Sequence, residues 1–136
     1  MRTIRILVLE DDLETLAVIM ATLKDLEKSL LAQANKVDVA VTVFSEYTQV
    51  EDYLNKMEKS NFDLVLLDRD CKLGGSFHAL DLDVFGKDKT VGISSVPEYN
   101  KNLRNEGVML IVDKDYKQLD DFGEKLLSIL ISVLSR

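Results

Sequence analysis

Phe62-Asp63-Leu64-Val65-Leu66-Leu67-Asp68 is the stretch on which the fold turns. Its apolar run, Phe62 to Leu67, is nearly continuous rather than alternating, which is how a strand covered on both faces of a parallel sheet reads. It stops on a carboxylate, Asp68, followed by Arg69 and Asp70. Four more short apolar runs flank it at fairly even spacing: Ile4 to Leu9 and Val37 to Phe44 before it, Thr90 to Ile93 and Val108 to Val112 after it. Segments of helical period lie between them. Leu13 to about Gln33 carries Leu13, Leu16, Ala17, Met20, Leu23, Leu30 and Leu31 mostly at three- and four-residue steps, with Asp12 placed to cap it.

A second helix runs from Ser45 to about Lys59 on Val50, Leu54 and Met57. The next helical segment, Ser76 to Phe85, fits a short helix by Phe77, Leu80 and Val84, although Leu80 to Val84 also alternates like a strand. A further helix starts at Pro97 and stops at Gly107, and the last runs from about Tyr116 to Leu134. Strand and helix thus alternate five times. This predicts a (βα)5 α/β fold, a doubly wound parallel sheet with right-handed crossovers.

A length of 136 residues suits one domain and leaves no room for a second output module. The hydrophobic and charged fractions, 46% and 30%, are those of an ordinary globule rather than a disordered chain or a disulfide scaffold. No apolar stretch is long enough to span a bilayer, and the start, Met1-Arg2-Thr3, lacks the segmented pattern of a secretory signal. One cysteine, Cys71, cannot form an internal disulfide, so the expected location is the cytoplasm. A formal charge of −7 with scattered Lys and Arg argues against nucleic acid and for protein partners.

In a doubly wound sheet of order 2-1-3-4-5, the ligand crevice opens at the carboxyl ends of strands one and three, where the order reverses. The acids sit there. Strand one ends in Glu10-Asp11-Asp12 and strand three in Asp68-Arg69-Asp70. Two carboxylates about 5 Å apart repel by roughly 3 kcal/mol at an effective dielectric of about 20, so the crevice calls for a cation. Oxygen ligands and open positions suit magnesium. Each acid alone could serve as no more than a helix cap, as Asp12 does; it is their meeting at the switch point that points to a site.

With Ile93-Ser94-Ser95 and Val112-Asp113-Lys114 added to Ile6-Leu7-Val8-Leu9-Glu10-Asp11-Asp12 and Asp63-Leu64-Val65-Leu66-Leu67-Asp68, almost the whole chain resembles the receiver domain of two-component response regulators, the CheY-like superfamily of flavodoxin-like fold. The resemblance implies that Asp68 is the phosphoacceptor, that Asp11 and Asp68 bind magnesium directly and Glu10 through water, and that the carbonyl of Asp70 completes the protein ligands. Ser94 takes the family's Ser/Thr position and Lys114 that of its lysine. The implied partners are a histidine kinase or phosphotransfer protein and a downstream protein.

Four departures accompany the resemblance. Asp115 follows Lys114 where the family has a proline in a cis peptide, so a trans bond is expected, with Lys114 set farther from the phosphoryl group. Ile111 stands where the family has its rotating aromatic, the third helix region is short, and Asp70 is acidic. Two other readings compete. Asp68-Arg69-Asp70 resembles the opening motif of haloacid-dehalogenase-type phosphatases, and a receiver that never takes phosphate would serve only as an interaction module. His78, the one histidine, has no ligand neighbours in sequence, and Gly74-Gly75 reads as a turn.

The last helix carries one apolar face of Leu119, Phe122, Leu126, Ile129, Leu130 and Val133, which Leu127, Ile131 and Leu134 widen beyond what packing on a sheet requires. In receivers the face made by the last helix, the last strand and the preceding helix binds partners. Leu127, Ile131 and Leu134 are therefore expected to form an exposed patch there, for a downstream protein or for a homodimer.

Overall fold

The computed structural model describes residues 2–33, 37–46, 61–69 and 82–134. Within them five strands, β1 (Arg2–Leu9), β2 (Val37–Phe44), β3 (Leu64–Leu67), β4 (Thr90–Gly92) and β5 (Leu110–Ile111), form one parallel sheet of order β2-β1-β3-β4-β5. The described helices are α1 (Leu13–Leu31), α2 (Leu82–Phe85), α3 (Pro97–Asn105) and α4 (Leu119–Leu134). This is the doubly wound architecture expected from the alternation, with the reversal of strand order between β1 and β3. Most of the expected second helix lies outside the described residues, as do Asp70, Cys71, Gly74, Gly75 and His78.

The continuous apolar strands are covered on both faces. Ile4, Ile6 and Val8 of β1 point to one side, where Ile19, Leu23, Leu26 and Leu30 of α1 meet Phe122, Leu126 and Leu130 of α4. Leu7, Leu9, Val65 and Leu67 point to the other, against Leu82, Phe85, Leu103 and Val108. Each such side chain fully buried contributes about 1.5–3 kcal/mol, so the two faces together dominate the stability of the fold.

Local chemistry sets the element ends. The Asp12 carboxylate caps α1 by accepting from the Thr15 backbone N–H at 2.9 Å and the Thr15 hydroxyl at 2.7 Å. Helix α3 begins with Pro97 at its first position and ends in a Schellman turn, in which Gly107 N–H donates to the Arg104 carbonyl and Val108 N–H to the Leu103 carbonyl. Gly107 has φ +106 there, a conformation that side chains resist.

Several expected boundaries move. Val108 serves this turn instead of β5, which shrinks to two residues. The last helix starts at Leu119 rather than Tyr116, because the Asp115 carboxylate accepts from Lys117 N–H at 2.9 Å and closes a turn first. Of the expected Ser76 to Phe85 helix, with its ambiguous Leu80 to Val84 stretch, residues 76–81 lie outside the described residues and Leu82–Phe85 is helical, with Leu82 and Phe85 buried.

The apolar excess of α4 faces a different way from that expected. Leu127 and Leu134 are half-buried and pack against the main core; only Ile131 is exposed, at 37%. Leu127 lines a groove with Ala17, Val18 and Ala21 of α1, not the β5 side of the helix, where Lys125, Ser128 and Ile129 lie. The cause is a close approach at Gly123, where an added Cβ would come within 2.9 Å of a Val18 methyl. The glycine lets α1 cover the edge of α4.

Candidate functional site

The parallel ladders run one step past the strand ends and set the site's residues side by side. Glu10 N–H donates to the Phe44 carbonyl at 3.3 Å, Asp68 N–H to the Leu9 carbonyl at 3.0 Å, and Lys114 N–H to the Ser94 carbonyl at 3.3 Å. Glu10, Asp68, Ser94 and Lys114 therefore stand along the carboxyl edge of the sheet, over the reversal between β1 and β3.

There the side chains of Glu10, Asp68 and Lys114 meet out of solvent. Lys114 Nζ donates to Glu10 Oε1 at 2.6 Å and to Asp68 Oδ2 at 3.1 Å, with all three side chains fully buried. Glu10 Oε2 accepts from Asp11 N–H at 3.0 Å and Asp12 N–H at 3.2 Å. Both oxygens of Glu10 thus already hold protein donors. One oxygen each from Glu10, Asp11 and Asp68 lie within 4.8 Å of one another. Three carboxylates, with one ammonium bonded to two of them, leave the group short of positive charge, a donor set that fits a divalent cation such as magnesium.

The electrostatics follow from burial and crowding. Desolvation pushes the Glu10 carboxyl up to about 8, and the adjoining Asp68 adds to the shift against the pull of Lys114. Burial works against the Lys114 ammonium, but Glu10 and Asp68 outweigh it and hold its pKa above the ordinary lysine value. The Lys114–Asp115 peptide is trans, since the described residues contain no cis bond. That bond does not withdraw the lysine, contrary to expectation: the side chain still reaches both carboxylates, and its Nζ lies 5.1 Å from the centre of the Tyr116 ring.

Ser94 is buried beside this group, and its hydroxyl accepts from Val96 N–H at 3.1 Å, capping the turn into α3. Asp70 lies outside the described residues. Two buried residues were not anticipated. Asn100 bonds Ser94 and Asp113. The guanidinium of Arg69, next to Asp68, pairs with Glu106 at 2.6 Å, at the end of α3. No pattern in one dimension marks either; Asn100 looks like any polar residue of a short helix.

No protein-family model matches this chain, and no curated protein does. Solved structures do. The chain is similar to the Mn2+-bound form of the response regulator Rcp1, at 16% identity and TM-score 0.68, over 93% of this chain and 91% of that one. It is similar to the BeF3-activated DrrB receiver domain, at 19% identity and TM-score 0.65, over 98% and 99%. It is also similar to the chemotaxis response regulator CheY4 of Vibrio cholerae, at 16% identity and TM-score 0.60, over 96% and 98%. At these identities the likeness is one of fold, and the fold is that of receiver domains. No described helix is long and apolar enough to cross a membrane.

Proposed function

We propose that residues 1–136 form a phosphoacceptor receiver module, in which Asp68 takes a phosphoryl group with magnesium held at Glu10, Asp11 and Asp68. The observation that carries this reading is the convergence of those three carboxylates within 4.8 Å, with Lys114 Nζ on two of them, at the point where strand order reverses. By the resemblance, Asp11 and Asp68 would bind the ion directly, Glu10, whose oxygens already hold Lys114 and two backbone N–H groups, would act through water, and the Asp70 carbonyl would complete the set.

An Asp68 carboxylate oxygen attacks phosphorus in line while the bond to the donor breaks, and the leaving imidazole or carboxylate carries off the electron pair. When bound, magnesium supplies positive charge to the equatorial oxygens. Lys114 pairs with one of them, and the Ser94 hydroxyl leaves Val96 to donate to another. The donor is a phosphohistidine on a histidine kinase or phosphotransfer protein, and a downstream protein partner reads the result. The module is not an enzyme with turnover.

Intact-protein mass with acetyl phosphate and magnesium tests this. Wild type gains one labile phosphoryl group; Asp68→Asn gains none, and chelation abolishes the reaction. Equal labelling of the Asn variant overturns the assignment of Asp68, no labelling of wild type favours a phosphate-independent interaction module, and turnover of a phosphate ester favours the phosphatase reading.

A further inference from the structure

Asn100, at the end of the first turn of α3, is buried, and its amide is committed on every side that bonds. Its Oδ1 accepts from Ser94 N–H at 3.2 Å, while its Nδ2 donates to the Ser94 carbonyl at 3.0 Å and to Asp113 Oδ1 at 2.9 Å. Both amide protons are used, so the side chain has one orientation that satisfies it. Gripping the N–H and C=O of one residue, Asn100 holds the Ser94 main chain as a neighbouring strand would.

The same Ser94 carbonyl also accepts from the Lys114 backbone N–H at 3.3 Å. Three elements therefore meet at one buried residue: the loop after β4 at Ser94, the segment after β5 at Asp113 and Lys114, and α3 through Asn100. Further along α3, Leu103 is fully buried against Leu7, Leu9, Val65 and Leu67, so a shift of the first turn carries to the core contact. Ile111 offers no such route, because its Cδ1 methyl packs within 2.8 Å of where a Cβ on Gly92 would lie. An aliphatic side chain wedged there has no ring to rotate.

We propose that Asn100 is the positioning residue that ties Ser94 and Lys114 to α3, so that the shift of Ser94 toward a phosphoryl group on Asp68 reaches α3 through this amide. The inference rests on the reading of Asp68 as phosphoacceptor. When the Ser94 hydroxyl leaves Val96 N–H, its backbone moves, and Asn100, bonded to both its polar groups, must follow or lose two buried bonds.

The test uses beryllofluoride with magnesium as the phosphoryl mimic, on wild type, Asn100→Leu and Asn100→Ala. Adduct formation is read by fluorine NMR, and amide hydrogen exchange is followed across 96–105. In wild type the adduct changes exchange in α3 by about tenfold or more. In both variants the adduct still forms, but exchange in α3 no longer depends on it. A merely structural asparagine would raise exchange in both states and leave their difference intact, and that result overturns the proposal. Asn100→Ala removes the amide, adds no bulk and favours the helix, so it carries the test should the leucine variant fail to fold. No adduct on wild type overturns the phosphoacceptor reading and this inference with it, whereas an adduct on all three proteins with equal responses in α3 overturns the inference alone.

Discussion

Lys114 Nζ reaches Glu10 Oε1 at 2.6 Å across 104 positions of sequence, with both side chains sealed from solvent. A single ammonium thus answers two buried carboxylates, Glu10 and Asp68. Such an arrangement is costly to desolvate and more costly to break, because removal of one partner leaves charge uncompensated.

Lys114→Met is therefore expected to lower metal-free stability by about 2–4 kcal/mol, less than a wholly unrelieved buried charge because Glu10 can protonate. Magnesium should restore part of the loss, since it supplies the missing positive charge. Urea unfolding with and without magnesium measures both. An equal loss in the two conditions would separate the lysine from the metal centre.

Stability should fall with pH in the metal-free protein. The Glu10 carboxyl is raised from 4.5 to about 8 on folding, so the folded state holds a proton that the unfolded chain releases. Its contribution is complete below 4.5 and is lost as pH climbs through about 8. Lys114 is raised as well and has the same sign, but it titrates at more alkaline pH and stays charged throughout this window. Magnesium competes with the proton, so its affinity should rise over the same range. Glu10→Gln should flatten the stability slope, and an unchanged slope in that variant would assign the titration elsewhere.

Asp68→Asn should be more stable than wild type without metal, by about 1–2 kcal/mol, because it removes the neighbour that helps to raise Glu10. The same change should abolish phosphoryl acceptance, so stability and function pull in opposite directions at one residue. A thermal shift of the metal-free variant to lower temperature would contradict the repulsion.

On α4 the two apolar positions should separate. Leu127→Lys puts a charge into the half-buried groove beside Ala17 and Ala21 and should cost about 1–2 kcal/mol. Ile131→Lys, at 37% exposure, should stay within about 0.5 kcal/mol of wild type. Denaturant midpoints decide it, and equal losses would mean that α4 sits differently against α1.

Period and composition alone were enough to read the doubly wound sheet, because a strand buried on both faces must be continuously apolar and Leu64–Leu67 is. The capping of α1 by Asp12 was equally legible, since a cap needs only neighbours in sequence. So was the meeting of Glu10, Asp11 and Asp68, because the strand order puts both acidic strand ends over one crevice. What required the tertiary structure were relations between side chains distant in the chain. Asn100 met Ser94 and Asp113 only when α3 laid its amide across them, and Lys114 kept its reach despite the trans bond to Asp115. The destination of Leu127 was hidden for the same reason: helical period says that a residue lies at the edge of an apolar face, but Gly123 on α4 and Val18 on α1 decide how near the neighbouring helix comes to cover it.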